Sequence, residues 1–211
     1  MDKGVAVQIG MIMILATLAL AISLVYVSLK SSIDRSVELS HEDNIIHYFK
    51  ILRFQSLRII EGSPSSEIVI KSFRGSYSLK KVGSLEVNNT KYDLFSLTYS
   101  SRNFEVCLEN SAIIVNSQIV EEPILTCNNS CLLVLPIIEG NLSLGGRGSI
   151  VINLVELDRC LYRNVKTIKI NSTNLCNYFE SRGFSVYKID GDVIVNFQNG
   201  TDILVVRMEV V

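Results

Sequence analysis

The chain has no excess of charge of either sign, and this lack excludes two classes of partner. Its 211 residues include 20 Lys and Arg and 21 Asp and Glu, a formal net charge of −1. A nucleic-acid-binding domain needs a clustered excess of basic residues, and a polybasic lipid-binding patch or an acidic tail needs a run of one sign. We therefore expect no nucleic-acid partner.

Histidine is scarce, which leaves little room for catalytic or metal chemistry. His41 and His47 lie in one helical pattern, six residues apart, so they do not share a helix face. A zinc site needs three or four ligands, and a cysteine nucleophile needs a histidine near it. The glycine-rich stretch 145–149 has no helix pattern after it, which favours a loop or bulge over a phosphate-binding loop. We expect no catalytic site, no cofactor and no metal.

Charged residues are absent from the first helix-length segment. No Asp, Glu, Lys, Arg or His occurs between Lys3 and Lys30, and thirteen of the residues from Val5 to Leu29 are Val, Ile or Leu. Each contributes roughly −0.3 to −0.6 kcal/mol to membrane insertion, about −4 to −8 kcal/mol in sum. As a helix this segment rises about 37 Å, enough to cross a hydrocarbon core of roughly 30 Å. The sequence predicts a transmembrane helix at 5–29.

Two other interpretations of this segment stay open. A buried core helix is one, although such helices rarely run this long without a charge. A cleaved secretory signal is the other, because Ala19-Leu20-Ala21 has the small-x-small form of a cleavage site. Lys3 on one side and Lys30 and Arg35 on the other do not settle the orientation. The cysteines and glycosylation signals of the later chain favour an outside location for the C-terminal part.

Lys3-Gly4, followed at once by Val5 and a long uncharged helix, resembles the class III signal peptide of archaeal type IV pilins and pilin-like proteins. The resemblance implies that a prepilin peptidase cuts after Gly4 and leaves Val5 as the new N-terminus. It also implies that the apolar helix bundles with those of other pilin-like subunits in a filament core. Gly10 matches a glycine common near this point in archaeal pilins, whereas Gln8 stands near the place where those proteins often carry an acidic residue.

Beyond the apolar segment, a periodic pattern predicts an amphipathic helical stalk at 30–61. Gly62, Ser63 and Pro64 end it. A single helix from 5 to 61 and two helices with a break around 31–32 both stay open. The apolar positions form one helical stripe, with charged residues on the other faces: Ile33, Val37, Ile45, Phe49, Leu52, Leu57 and Ile60.

From 67 to 211 the chain alternates short apolar runs with turn residues and predicts an extracellular β-rich head. Gly140-Asn141, Asp190-Gly191 and Asn199-Gly200 are two-residue hairpin signals. The last two predict a three-strand meander, 184–189, 192–197 and 201–211. A helix at 174–181 precedes it, with Ser172 or Thr173 as its cap and Arg182-Gly183 as its end. Earlier strands are predicted at 67–73, 76–82, 84–88, 92–100, 104–108 and 111–120.

The predicted fold class is therefore α+β. A short leader (1–4) precedes a long N-terminal hydrophobic helix, transmembrane or filament-core at 5–29 and amphipathic at 30–61. A mostly antiparallel β-sheet in a sandwich-like head follows.

The five cysteines suggest up to two disulfides outside the cytoplasm. Cys127 and Cys131 can close a small loop, and Cys160 and Cys176 can clip a strand to a helix, which leaves Cys107 over. Cys127 and Cys131 as zinc ligands would lack a second pair at comparable spacing.

Asn-x-Ser/Thr motifs recur in the predicted head, near predicted turns. They are candidates for N-glycosylation and favour an exterior surface. The five asparagines are Asn88, Asn128, Asn141, Asn171 and Asn199.

Together these features favour a pilin-like structural subunit of an archaeal type IV pilus-like surface filament or assembly, with a head that serves adhesion or assembly. Its partners are then the membrane, a prepilin peptidase and other pilin-like subunits. Its location is the cell membrane, single-pass with the head outside, or a surface filament. A monomeric signal-anchored extracellular binding module is the alternative. A cell-surface enzyme is the least favoured class, because no convergent catalytic set is visible.

Overall fold

A computed structural model describes residues 3–72, 75–127, 131–146, 148–189 and 192–211, with side chains from residue 11 onward apart from Ser31 and Ser72. The predicted α+β fold is confirmed: a long helix is followed by a large, mostly antiparallel sheet. The elements are α1 (Lys3–Ile60), β1 (Ser65–Ser72), β2 (Ser76–Val87), β3 (Thr90–Ser100), β4 (Glu105–Glu109), β5 (Ala112–Val115), β6 (Gln118–Glu121), β7 (Ile124–Cys127), β8 (Cys131–Glu139), β9 (Ser143–Gly145), β10 (Gly148–Asn171), α2 (Thr173–Ser181), β11 (Ser185–Ile189) and β12 (Asp192–Val210).

The chain divides into two compact units, Met1–Asn44 and Ile45–Val211. The second unit contains the C-terminal turns of α1 and every strand, and we call it the head. The helical assignment of α1 is unbroken at Ser31-Ser32. Its end follows the prediction: Gly62 has a φ of +114°, and the Ser63 amide donates to the Arg58 carbonyl at 3.0 Å.

In the part of the head that the structure describes, the strands form one twelve-stranded sheet. Its main path is β6-β5-β4-β3-β2-β10-β12-β8-β7, with β1 beside β10, β11 beside β12 and β9 beside β2. β8 and β12 pair in parallel, and the other described pairs are antiparallel. β3 and β8 contact each other although three strands separate them in the sheet order, so the sheet curls over itself.

Apolar side chains form a core on each face of the sheet. Val205 and Val206, neighbours in β12, belong to different cores because successive side chains of a strand point to opposite faces. The first core receives four α1 residues: Ile45, Phe49, Leu52 and Ile59. The second receives the apolar face of α2: Leu175, Cys176, Tyr178 and Phe179.

Asparagine-led dipeptides form three tight turns in the first half of the head. Asn88-Asn89, Asn110-Ser111 and Asn116-Ser117 all have φ between +47° and +68° at both residues, as a type I′ hairpin turn requires. The single strand predicted at 111–120 is therefore wrong, because Asn116-Ser117 divides it into β5 and β6.

Two of the predicted hairpins are also wrong. Gly140-Asn141 is a corner: β9 pairs with β2 and not with β8. Asn199-Gly200 lies inside β12, so 192–197 and 201–211 are not separate strands. Both halves of β12 pair with the 24-residue β10, and the Asn199-Gly200 region is a shift in their register. The Asp190-Gly191 turn lies outside the described residues, and the strands beside it pair as an antiparallel hairpin from Ile189 and Asp192.

Two predicted strands, 76–82 and 84–88, merge into β2. The pairing of β2 with β3 shifts between Lys81 and Gly83, which marks a bulge. A Cβ at Gly83 would lie 1.6 Å from the backbone oxygen of Asn171. Only glycine fits at this approach, so the β2 bulge can pack against the end of β10 only with glycine at position 83.

Candidate membrane and assembly helix

From Met11 to Leu29, the apolar segment of α1 is exposed on all its faces. Each large apolar side chain between Met11 and Leu29 is 52–70% exposed. A helix that is apolar all round belongs in a membrane or in the interior of a larger assembly. Among the described residues, this helix alone is long and apolar enough to cross a membrane. The predicted transmembrane segment is thus present as a candidate span, by length and composition.

Two hydroxyl groups, one within this segment and one just beyond it, are satisfied by the helix itself. Thr17 Oγ1 donates to the carbonyls of Met13 and Ile14 at 3.0 and 2.9 Å. Ser32 Oγ donates to the Ser28 carbonyl at 3.2 Å. An unpaired hydroxyl is costly in hydrocarbon, so these internal bonds suit the segment to an apolar environment.

The predicted cleavage junction lies at the beginning of α1. Lys3, Gly4 and Val5 are in its first turns, and the rest of the predicted leader, Met1 and Asp2, lies outside the described residues. The junction is therefore located on the helix, but the side chains that a peptidase would read are not described.

The predicted stalk stripe divides at the boundary between the two units. Ile45, Phe49 and Leu52 are fully buried, as predicted for a packed face. Ile33 and Val37, assigned to the same stripe from their spacing, are 59% and 57% exposed. Spacing alone shows that a face is apolar, but burial depends on whether the fold supplies a surface opposite it.

Basic side chains fix the last turns of α1 within the head. Arg53 Nε donates to the Ser111 carbonyl at 2.7 Å, and its Nη2 donates to the Glu122 carbonyl at 3.1 Å. Lys50 and Arg53 each lie 3.5 Å from a carboxylate oxygen of Glu121. These contacts attach the helix to the turns around β5 and β6.

Arg159 caps the C-terminus of α1 from β10. Its guanidinium donates to the carbonyls of Ile59 and Ile60, both at 2.9 Å. The last carbonyls of a helix lack the usual partner four residues on; the Ile59 carbonyl also accepts from the Gly62 amide at 3.0 Å. Glu156 accepts two bonds from the same guanidinium at 3.0 and 2.9 Å. Hydrogen bonding to Glu156 raises the pKa of Arg159.

Buried polar groups connect α2 to the hairpin of β4 and β5. Ser172 takes the N-cap position, but its hydroxyl donates to Glu109 rather than to the helix backbone. Asn174 Nδ2 donates to the other oxygen of Glu109 at 2.8 Å. The predicted helix is present, and its predicted capping bond is replaced by this contact. Glu109 carries no sequence signal of burial, because it lies beside a turn dipeptide.

The cysteines form one of the two suggested bridges. Cys127 and Cys131 are joined across the end of the β7–β8 hairpin. Cys160 in β10 and Cys176 in α2 are both free thiols, so that predicted pairing is wrong. Cys176 packs inside the second core instead, where burial raises its pKa. Cys107 is also free, and burial likewise raises its pKa.

The histidines and the glycine-rich stretch supply no site among the described residues. His41 is half-buried and His47 is exposed on α1. The described part of the chain holds no group of three or more His, Cys, Asp or Glu that could bind a metal ion. The glycine-rich stretch connects β9, which ends at Gly145, to β10, which begins at Gly148, as predicted for a loop between strands.

The glycosylation motifs lie at the surface wherever they are described. Asn88, Asn141, Asn171 and Asn199 are exposed, and Asn128 lies outside the described residues. Exposure is required for glycan attachment, so these four remain predicted sites.

Comparisons of the chain with models of protein families, with curated proteins and with solved structures gave no match.

Proposed function

We propose that the chain is a pilin-like structural subunit of an archaeal surface filament or assembly. In this proposal α1 holds the newly made chain in the membrane, and a prepilin peptidase then removes residues 1–4. The apolar segment next packs against the same segment of other subunits, with the head facing the exterior.

The observation that carries the proposal is the uncovered apolar surface of α1. Soluble monomers rarely expose a continuous apolar patch larger than a few hundred Å², yet every described large side chain from Met11 to Leu29 is exposed. Lipid or neighbouring helices would cover such a surface. The absence of charge from this segment suits it first to lipid and then to the interior of a helix bundle.

The Lys3-Gly4-Val5 junction is the reason for proposing that α1 serves assembly as well as membrane anchoring. An ordinary signal anchor has no need of a small residue after a basic one, followed at once by the apolar run. In the pilin-like proteins that this junction resembles, the helix stays on the mature protein and enters a filament core. Ile45, Phe49 and Leu52, in the C-terminal turns of the same helix, are part of the core of the head.

A monomeric, membrane-anchored binding module is the second candidate. A cavity of about 220 Å³ between the end of α2 and β12 favours it, because Arg182, Asn196 and Gln198 line the cavity with polar groups. Ligand pockets are commonly about 300–1,000 Å³, so this cavity suits at most a small polar group.

The N-terminus of the mature protein separates the two candidates. We expect the full chain, produced in membranes together with an archaeal prepilin peptidase, to begin at Val5 by intact mass and N-terminal sequencing. Gly4→Leu should block the cut, whereas Gly10→Leu, the matched glycine outside the junction, should leave it unchanged.

The other outcomes contradict the proposal. An intact N-terminus at Met1 or Asp2 in the presence of active peptidase would favour the monomeric module. A start near Ser23 would remove the anchor and with it both membrane-bound candidates.

A further inference from the structure

β1 is an edge strand of the head. Its eight residues pair antiparallel with β10, from Ser65 opposite Val155 to Ser72 opposite Gly148. On the other side of β1, no strand pairs with it among the described residues. Natural sheets usually protect such an edge with proline, bulges or charged side chains. β1 has no proline and no shift in register, and its only two charged residues, Glu67 and Lys71, are of opposite sign.

The backbone of alternate β1 residues points away from β10. The Glu156 amide donates to the Pro64 carbonyl at 3.3 Å, so Pro64 and Glu156 are a hydrogen-bonded pair in this ladder. Hydrogen-bonded and non-hydrogen-bonded pairs alternate in antiparallel sheets. Glu67, Val69 and Lys71 therefore belong to non-hydrogen-bonded pairs, and their N–H and C=O groups face outward from the edge.

The side chains of these three residues place an apolar group between two opposite charges on one face of the edge. Val69 is directly opposite Val151, and both are 51% exposed on the outer face of the sheet. Glu67 and Lys71 are exposed on that same face, two residues on either side of Val69. Ile68 and Ile70 point to the opposite face, into the first core.

We propose that β1 pairs with β1 of a second copy of this chain, antiparallel and centred on Val69. In that register Val69 faces Val69, and Glu67 of each copy faces Lys71 of the other. The outward N–H and C=O groups of these residues then pair across the two-fold axis. The interface requires neither the membrane nor the apolar segment of α1, so it goes beyond the proposed function.

Charge favours this register over the two registers that are centred on the other outward-facing residues, Glu67 and Lys71. Centring the pair on Glu67 places two carboxylates opposite each other, and centring it on Lys71 places two ammonium groups opposite each other. Like charges directly opposite one another destabilise a strand pair, and opposite charges stabilise it. Centring on Val69 gives two opposite-charge pairs and an apolar contact at once. The partner that best complements this edge is therefore β1 of a second copy of the chain.

Disulfide trapping of the full chain in detergent micelles tests the interface. With Val69→Cys, the two Val69 Cα atoms of the register should lie about 5.5 Å apart, within the range that a disulfide spans. We expect mild oxidation to convert most of the protein to a covalent dimer. Val151→Cys is the matched control: it is equally exposed on the same face but one strand further in, so its copies lie about 14 Å apart and should stay monomeric.

Charge reversal tests the register itself. In the Val69→Cys background, Glu67→Lys should reduce the dimer yield about tenfold, because it places like charges opposite each other. Adding Lys71→Glu should restore the yield. Equal trapping at positions 69 and 151, or no rescue by the double reversal, would overturn the proposal. Association through α1 alone would trap positions 69 and 151 equally, so the experiment distinguishes it from pairing of β1. Whether the chain is cleaved after Gly4 does not affect the trapping at either position.

Discussion

Single buried polar groups explain local features of the head that apolar spacing does not. Glu109 accepts hydrogen bonds from Ser172 and Asn174 and so connects a hairpin to the N-terminus of α2. Tyr77 presents the opposite case. Its side chain is fully buried against Phe49 and Tyr99, and its hydroxyl has no hydrogen-bond partner among the described residues. An unpaired buried hydroxyl lowers the stability of the folded state.

Tyr77→Phe should therefore leave the free energy of unfolding at pH 7 unchanged or raise it by about 1 kcal/mol. Tyr99→Phe is the matched control. Its hydroxyl is hydrogen-bonded with Ser101, so its removal should lower the free energy by about 1 kcal/mol. Chemical denaturation followed by tyrosine fluorescence measures both. A clear loss in Tyr77→Phe would show that its hydroxyl has a partner after all.

Tyr77→Phe should also change how the free energy of unfolding depends on pH in the alkaline range. Burial, with smaller contributions from Tyr99 and Tyr48, raises the pKa of Tyr77 well above its ordinary value of about 10. Above about pH 10 the unfolded chain releases a proton that the folded chain keeps, so the free energy of unfolding falls as pH rises. Tyr77→Phe should make this fall shallower above about pH 10. An identical slope in both proteins would contradict the assignment.

At the scale of elements, residue patterns predicted strands more reliably than turns. Alternation of apolar and polar residues located β1, β3, β4 and the two halves of β2, because each strand has one face on a core. The turns of the first half of the head adopt positive φ without glycine, so the usual glycine signal of a hairpin is absent from their sequences: Asn88-Asn89, Asn110-Ser111 and Asn116-Ser117. Asn199-Gly200 had that signal and is no hairpin, because β10 is long enough to pair on both sides of it.

The packing of α1 on the head depends on partners that are distant in sequence. Arg53 donates to the Ser111 carbonyl, and Arg159 donates to the last carbonyls of α1. The spacing of residues in the sequence predicts neither contact. The apolar stripe indicated the correct buried face from Ile45 onward, but it continued to Ile33 and Val37, which no described residue covers.

Phe49 and Phe54 provide a test of which face of α1 supports the head. Phe49 is fully buried in the first core and Phe54 is 61% exposed. Phe49→Ala should lower the free energy of unfolding by about 3–5 kcal/mol, because it leaves a cavity. Phe54→Ala should change it by less than about 0.5 kcal/mol. Similar losses in the two variants, measured by chemical denaturation of the full chain in detergent, would contradict the packing described for α1.

At the scale of the whole molecule, the proposed function requires that the apolar segment of α1 hold the chain in the membrane. Two arginines in its middle test this directly. Each arginine near a helix centre opposes insertion by about 2.5–3.5 kcal/mol. With the loss of two leucines, Leu18→Arg/Leu20→Arg should offset most or all of the roughly −4 to −8 kcal/mol that favours insertion. The wild-type chain should float with membranes in a density gradient, and this variant should not.

The matched control for that experiment is Leu18→Ala/Leu20→Ala, which removes the same leucines without charge and should still float. Protease resistance of the head should be equal in all three proteins, because Ile45–Val211 forms its own compact unit. Flotation of the arginine variant at the wild-type level would mean that the head, and not α1, binds the membrane. A wild-type chain that stays at the bottom of the gradient would show that other copies of the helix, rather than lipid, cover the apolar surface.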